Sequence, residues 1–71
     1  MLSATLDSSV IASVRFDEAS NVLEVEFRSG RVYRYFMVRK DVYTALVAAE
    51  SPGTYFNTVI KDRYMSLRTE P

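Results

Sequence analysis

Between Val10 and Phe27 the chain alternates apolar and polar residues with the period of a β-strand, and from Asp41 the period lengthens to that of a helix. Val10, Ala12, Val14 and Phe16 share one parity against Ile11, Ser13 and Arg15, which predicts a first half-buried strand. Asp17-Glu18-Ala19-Ser20-Asn21 supplies turn formers, and a second strand follows with Leu23, Val25 and Phe27 on one face and Glu24 and Glu26 on the other. Arg28-Ser29-Gly30 then reads as a three-residue hairpin loop with glycine at its closing bulge.

In the next stretch both parities carry large side chains, Val32, Phe36 and Val38 against Tyr33, Tyr35 and Met37. The loop length decides which parity faces the core. A three-residue loop pairs Phe27 with Arg31, Val25 with Tyr33, Glu24 with Arg34 and Leu23 with Tyr35. The tyrosines then share the core face, and Arg34 sits opposite Glu24. A two-residue loop would set Arg34 against Val25 and strand a charge on the apolar face. The longer loop is therefore expected, and it leaves Val32 and Phe36 as an apolar patch among outer charges.

Lys40 or Asp41 opens a helix with Val42, Leu46 and Ala49 on one face and Tyr43, Val47 and Glu50 on the next. The acid in its first turn complements the macrodipole. Ser51-Pro52-Gly53 stops it. Ser51 or Thr54 caps a second helix in which Phe56, Val59, Ile60 and Tyr64 recur at three- and four-residue spacing. The expected fold is α+β: a three-stranded antiparallel β-meander followed by two α-helices packed on one sheet face. Residues 1–71 form one domain, with a core over 8–64 and a flexible tail over 65–71.

Composition narrows the chemistry. The chain has 71 residues, 48% of them hydrophobic, and neither cysteine nor histidine. Disulfides, thiolate nucleophiles, imidazole bases and zinc ribbons are excluded together. So small a domain holds a modest core and a stability of roughly 3–5 kcal/mol, which leaves self-association open as a further source of stability. No apolar run approaches the ~18 residues of a membrane span, and MLSATLDSS lacks a basic start and an apolar h-region, so a cytoplasmic location is expected. Asp17, Glu18, Glu24 and Glu26 match no calcium-loop spacing, and no serine or threonine has a base partner. No cofactor, metal or catalytic residue is expected.

The charges sum to zero but are unevenly spread: residues 1–27 carry −4, residues 28–40 carry +5, and the remainder −1. Tyr33-Arg34-Tyr35 lies inside the basic block, so the two tyrosines are candidates for stacking on bases and Arg28, Arg31, Arg34, Arg39 and Lys40 for contacting phosphates. The competing reading packs both rings beneath the helices with their hydroxyls at the rim and spends Arg34 on Glu24. Asn57 either braces the Pro52-Gly53 loop or offers a donor and acceptor to a ligand. Lys61, Arg63 and Tyr64 either end the second helix or extend a binding surface.

Ser8-Ser9, Phe16-Asp17, Leu23-Glu24-Val25-Glu26-Phe27, Gly30 with Tyr33-Arg34-Tyr35, Val42-Tyr43, and Gly53 followed by Tyr55-Phe56-Asn57, Ile60 and Tyr64 occur in the order and spacing of a known family. On these residues the chain resembles a KTSC domain over about 8–64. The family is named for a C-terminal appendage of some lysyl-tRNA synthetases and includes small stand-alone bacterial and phage proteins. Arg39 departs from the pattern, because a proline commonly opens the first helix there. The family's attachment to a synthetase, together with Tyr33-Arg34-Tyr35 in a basic stretch, suggests RNA or single-stranded nucleic-acid binding, and the lack of a catalytic constellation suggests a non-catalytic module. The apolar patch at Val32 and Phe36 instead suggests a protein-interaction or homodimerising module, with a protein or a second copy as partner and no membrane.

Overall fold

The first 35 residues form four strands, and the chain returns at its end to add a fifth. The computed structural model describes residues 1–69. Strands β1 (Leu2–Thr5), β2 (Ile11–Asp17), β3 (Val22–Phe27) and β4 (Val32–Tyr35) precede helix α1 (Lys40–Ala48). Helix α2 (Pro52–Tyr55) runs directly into a π-helical turn, Phe56–Ile60, and β5 (Ser66–Arg68) follows. The five strands form one antiparallel sheet in the order β1-β2-β3-β4-β5, with neighbouring strands hydrogen-bonded. The class is α+β, as expected, but the sheet has five strands rather than three.

The β3–β4 register is the one a three-residue loop demands: Leu23 pairs with Tyr35, Glu24 with Arg34 and Val25 with Tyr33. The Phe27 N–H donates to the Arg31 carbonyl and the Gly30 N–H to the Phe27 carbonyl, both at 2.9 Å. Gly30 has φ +96°, a conformation that L side chains rarely adopt.

Two local irregularities shift the core parity that simple alternation predicts. Ile11 pairs with Phe27 while Ser13 pairs with Glu26, so β2 carries one extra residue there. The bulge turns Ile11 fully inward beside Val14 and Phe16, and Val10, expected on that face, is exposed. After β4, Met37 adopts φ +59° and stays exposed. That left-handed step redirects the chain so that Val38 is fully buried, although it shares its parity with the outward Val32 and Phe36. The Val38 N–H is held by the carbonyl of Asn21 at 2.9 Å.

The tail expected over 65–71 is also corrected. Ser66, Leu67 and Arg68 pair with Tyr35, Arg34 and Tyr33. The Phe36 N–H donates to the Met65 carbonyl at 3.0 Å and the Thr69 N–H to the Val32 carbonyl at 2.8 Å, so the pairing extends beyond both ends of the strand. Glu70 and Pro71 lie outside the described residues.

The core lies between the sheet and the helical segment: Val14, Phe16, Leu23 and Val25 from the strands meet Leu46 and Ile60, all at 0–1% exposure. Phe16 stacks on Tyr43 with ring centroids 5.4 Å apart. α1 starts without a side-chain cap, with Arg39 extended at φ −83°. Asp41 sits in its first turn.

Candidate binding groove

Four aromatic rings close a circuit on the helix-covered side of the sheet. Phe27 meets Tyr33 edge-on at 6.0 Å, Tyr33 lies over Tyr35 at 6.3 Å, Tyr35 meets Phe56 at 5.4 Å, and Phe56 meets Phe27 at 5.3 Å. Register explains three members: Tyr33 and Tyr35 are two residues apart on β4, and Phe27 ends β3 beside them. Phe56 arrives from the start of the π-turn. Tyr35 and Phe56 are buried, while Phe27 and Tyr33 remain partly open.

This cluster floors an open groove of about 600 Å³, within the roughly 300–1,000 Å³ range of small-ligand sites. One wall is the end of the β3–β4 hairpin, with Arg28, Ser29 and Arg31; the other is the π-turn and the residues after it, with Asn57, Lys61 and Asp62. The i→i+5 bond from the Lys61 N–H to the Phe56 carbonyl, 2.9 Å, closes the wider turn. Such turns are rare and cluster at functional sites. Here it brings Asn57 and Lys61 to the same opening.

The cations on the rim differ in their freedom. Arg28 is tied down: its guanidinium donates to the carbonyls of Ser8 and Leu6, each at 2.9 Å, and so holds the β1–β2 loop against the hairpin. Arg31 and Lys61 form no ion pair with any described residue. The Asn57 amide makes no hydrogen bond within the described residues. The Tyr35 phenol is pushed up to about 12, first by burial, then by Tyr33 and by the charge of Asp62. It therefore remains a hydroxyl at neutral pH.

Of the residues singled out from sequence, Tyr33, Tyr35, Asn57 and Lys61 line this one groove. Arg34 does not: it lies on the opposite sheet face with its Nε 3.2 Å from Glu24, whose other oxygen takes Arg15 at 2.6 Å. Arg63 is exposed and off the groove lining, and Tyr64 packs half-buried against the core. The basic block is divided as well: Arg28 and Arg31 reach the groove, while Arg39 and Lys40 lie at the start of α1 near Asp41 and Glu18. Sequence reasoning missed Phe27 and Phe56 as groove residues, because each fits an ordinary core position. It also passed over Asp62, which lies between two cations in a turn.

Comparison with known proteins places this geometry among relatives. The KTSC domain model matches residues 7–64. An uncharacterized protein of Stutzerimonas stutzeri is 42% identical over 64 residues, covering 90% of each chain. A lysine–tRNA ligase of Nostoc punctiforme is 38% identical over 58 residues, which are 82% of this chain and 10% of the ligase. A KTSC domain protein of Yersinia pestis superimposes with a TM-score of 0.92 at 28% identity, covering 97% of both chains.

Proposed function

The chain belongs to the KTSC domain family, and from that premise we propose that it is a non-catalytic module that binds single-stranded nucleic acid, RNA first, in the aromatic groove. The observation that carries this reading is the juxtaposition of a partly open Tyr33 ring with Arg31 and Lys61, two cations without an internal counter-ion, on opposing walls. A base stacks on a tyrosine face while cations meet the phosphates on either side, and neither interaction depends on sequence. The groove lies on one face of a protein with zero net charge, so binding is local and moderate rather than driven by a global field. The similarity to a lysine–tRNA ligase, an enzyme named for an RNA, supports the same reading.

The test is an amide chemical-shift titration of the labelled domain with a mixed single-stranded RNA at low salt. Shifts are expected at Arg31, Tyr33, Asn57 and Lys61, with affinity falling as salt rises by about 0.7 log unit per decade for each neutralised phosphate. Joint replacement Arg31→Gln with Lys61→Gln lowers affinity about tenfold or more, and Arg34→Gln, on the far face, leaves it unchanged. Absence of saturable shifts, or equal losses from Arg34→Gln, would sink the proposal.

A second reading rests on the uncovered sheet face, where half-buried Val32 and Phe36 adjoin Leu67 at 58% exposure and Met1 at 77%. Both signs of charge are present there, Arg15 and Arg34 paired with Glu24 and Ser13 bonded to Glu26, so no single-sign field opposes the approach of a second copy. Sedimentation equilibrium on the wild type and on Leu67→Glu decides it: a concentration-dependent dimer that the variant abolishes supports self-association, and a monomer at high concentration removes it.

A further inference from the structure

We infer that Asp62 makes the groove selective for guanine, as the carboxylate that accepts the paired N–H donors of that base's Watson–Crick edge. This inference rests on the nucleic-acid reading of the same groove. Asp62 is the one acid among the described residues lining it, and it forms no ion pair there, although Lys61 and Arg63 are its chain neighbours. An unpaired carboxylate beside a phosphate-binding rim works against affinity for phosphates. Its chemical use in such a site is as an acceptor toward the base.

Guanine alone among the common bases presents two adjacent donors, N1–H and the N2 amino group, at a spacing that matches the two oxygens of a carboxylate. Adenine and cytosine place a ring-nitrogen acceptor beside their amino group, which would face a carboxylate lone pair. Uracil sets its single N–H between two carbonyl oxygens. The remaining groups agree with this assignment. Tyr33 supplies the stacking surface, and Asn57, whose amide is unengaged, supplies a donor for the guanine carbonyl. Asp62 and Tyr35 line the same groove, and after burial and Tyr33 the charge of Asp62 adds to the upward shift of the Tyr35 phenol.

Unlabelled eight-residue oligouridines carrying one central guanine, inosine, adenine or cytosine, together with all-uridine RNA, provide the probes for calorimetric titration of the wild-type chain and Asp62→Asn. The expected result is binding of the guanine oligomer about tenfold tighter than the others, inosine included because it lacks the N2 amino group, which is the scale of one bidentate contact. In Asp62→Asn the preference disappears while affinity for all-uridine RNA is kept or rises as the negative charge is removed. Binding of all oligomers without guanine preference, or a preference that survives Asp62→Asn, overturns the assignment and leaves the nucleic-acid reading intact. No binding by any oligomer overturns both. Asp62 is exposed in a turn, so the variant tests recognition rather than folding.

Discussion

Tyr35 joins packing to chemistry in one side chain. Its ring is buried at 4% exposure between Tyr33 and Phe56, and its phenol titrates near 12 rather than 10 because burial penalises the phenolate. Tyr43, stacked on Phe16, is shifted upward by burial as well. Between pH 10 and 12 the unfolded chain has released the Tyr35 proton while the folded chain retains it, so the stability this contributes is intact below pH 10 and declines as pH rises toward 12, with Tyr43 acting in the same direction. Tyr35→Phe should flatten part of that decline, measured as the change in urea midpoint between pH 9 and pH 11.5. An equal decline in the variant would show that the Tyr35 phenol does not carry it. The pairing of Arg34 with Glu24 was legible at this scale, because a one-residue change of loop would have opposed a charge to Val25.

At the scale of elements, the two glycines have opposite requirements. Gly30 closes the β3–β4 hairpin at φ +96° with open space where a Cβ would stand, so the cost of replacing it is conformational rather than steric. Gly30→Ala is expected to destabilise by about 1–2 kcal/mol. Gly53, in α2, would place a Cβ 3.5 Å from Val10 Cγ2, an ordinary contact, and Gly53→Ala should stabilise by about 0.5–1 kcal/mol through helix propensity. Urea denaturation of both variants checks the contrast; destabilisation by Gly53→Ala would mean that the contact with Val10 is tighter than its distance implies. The hairpin was readable because turn chemistry and alternation agree there. The outer strands were not: β1 has four residues and β5 three, and each is held by backbone pairing to a neighbour already in the sheet. A Ser-Leu-Arg segment carries no periodicity from which such a pairing could be read. The π-turn was equally hidden, since Phe56, Val59 and Ile60 suit an α-helix as well.

Across the whole molecule the sheet separates two surfaces. Helices and the aromatic circuit occupy one side; Arg15, Glu24 and Arg34 with Val32 and Phe36 occupy the other. No helix among the described residues is long and apolar enough to cross a membrane. Because the surfaces are distinct, substitutions at Arg34 or Leu67 act on the outer face alone and those at Arg31, Asn57 or Lys61 on the groove alone. The proposed self-association and the proposed nucleic-acid binding are thus separable by experiment.

The sequence by itself determined the α+β class, the hairpin register and the family. Each follows from interactions between residues near in the chain, namely alternation, loop length and turn chemistry, or from motifs preserved in order. Only the tertiary structure decided that Ile11 replaces Val10 in the core, that Val38 turns inward after Met37, that the C-terminal segment completes the sheet, and that Arg31, Tyr33, Asn57, Lys61 and Asp62 share one groove. Those outcomes depend on a bulge, a left-handed residue and a π-turn, each of which shifts the phase of the chain by a residue or less, and on contacts between segments some thirty residues apart. Local periodicity averages over such phase shifts, so the pattern that fixed the strands could not place the site.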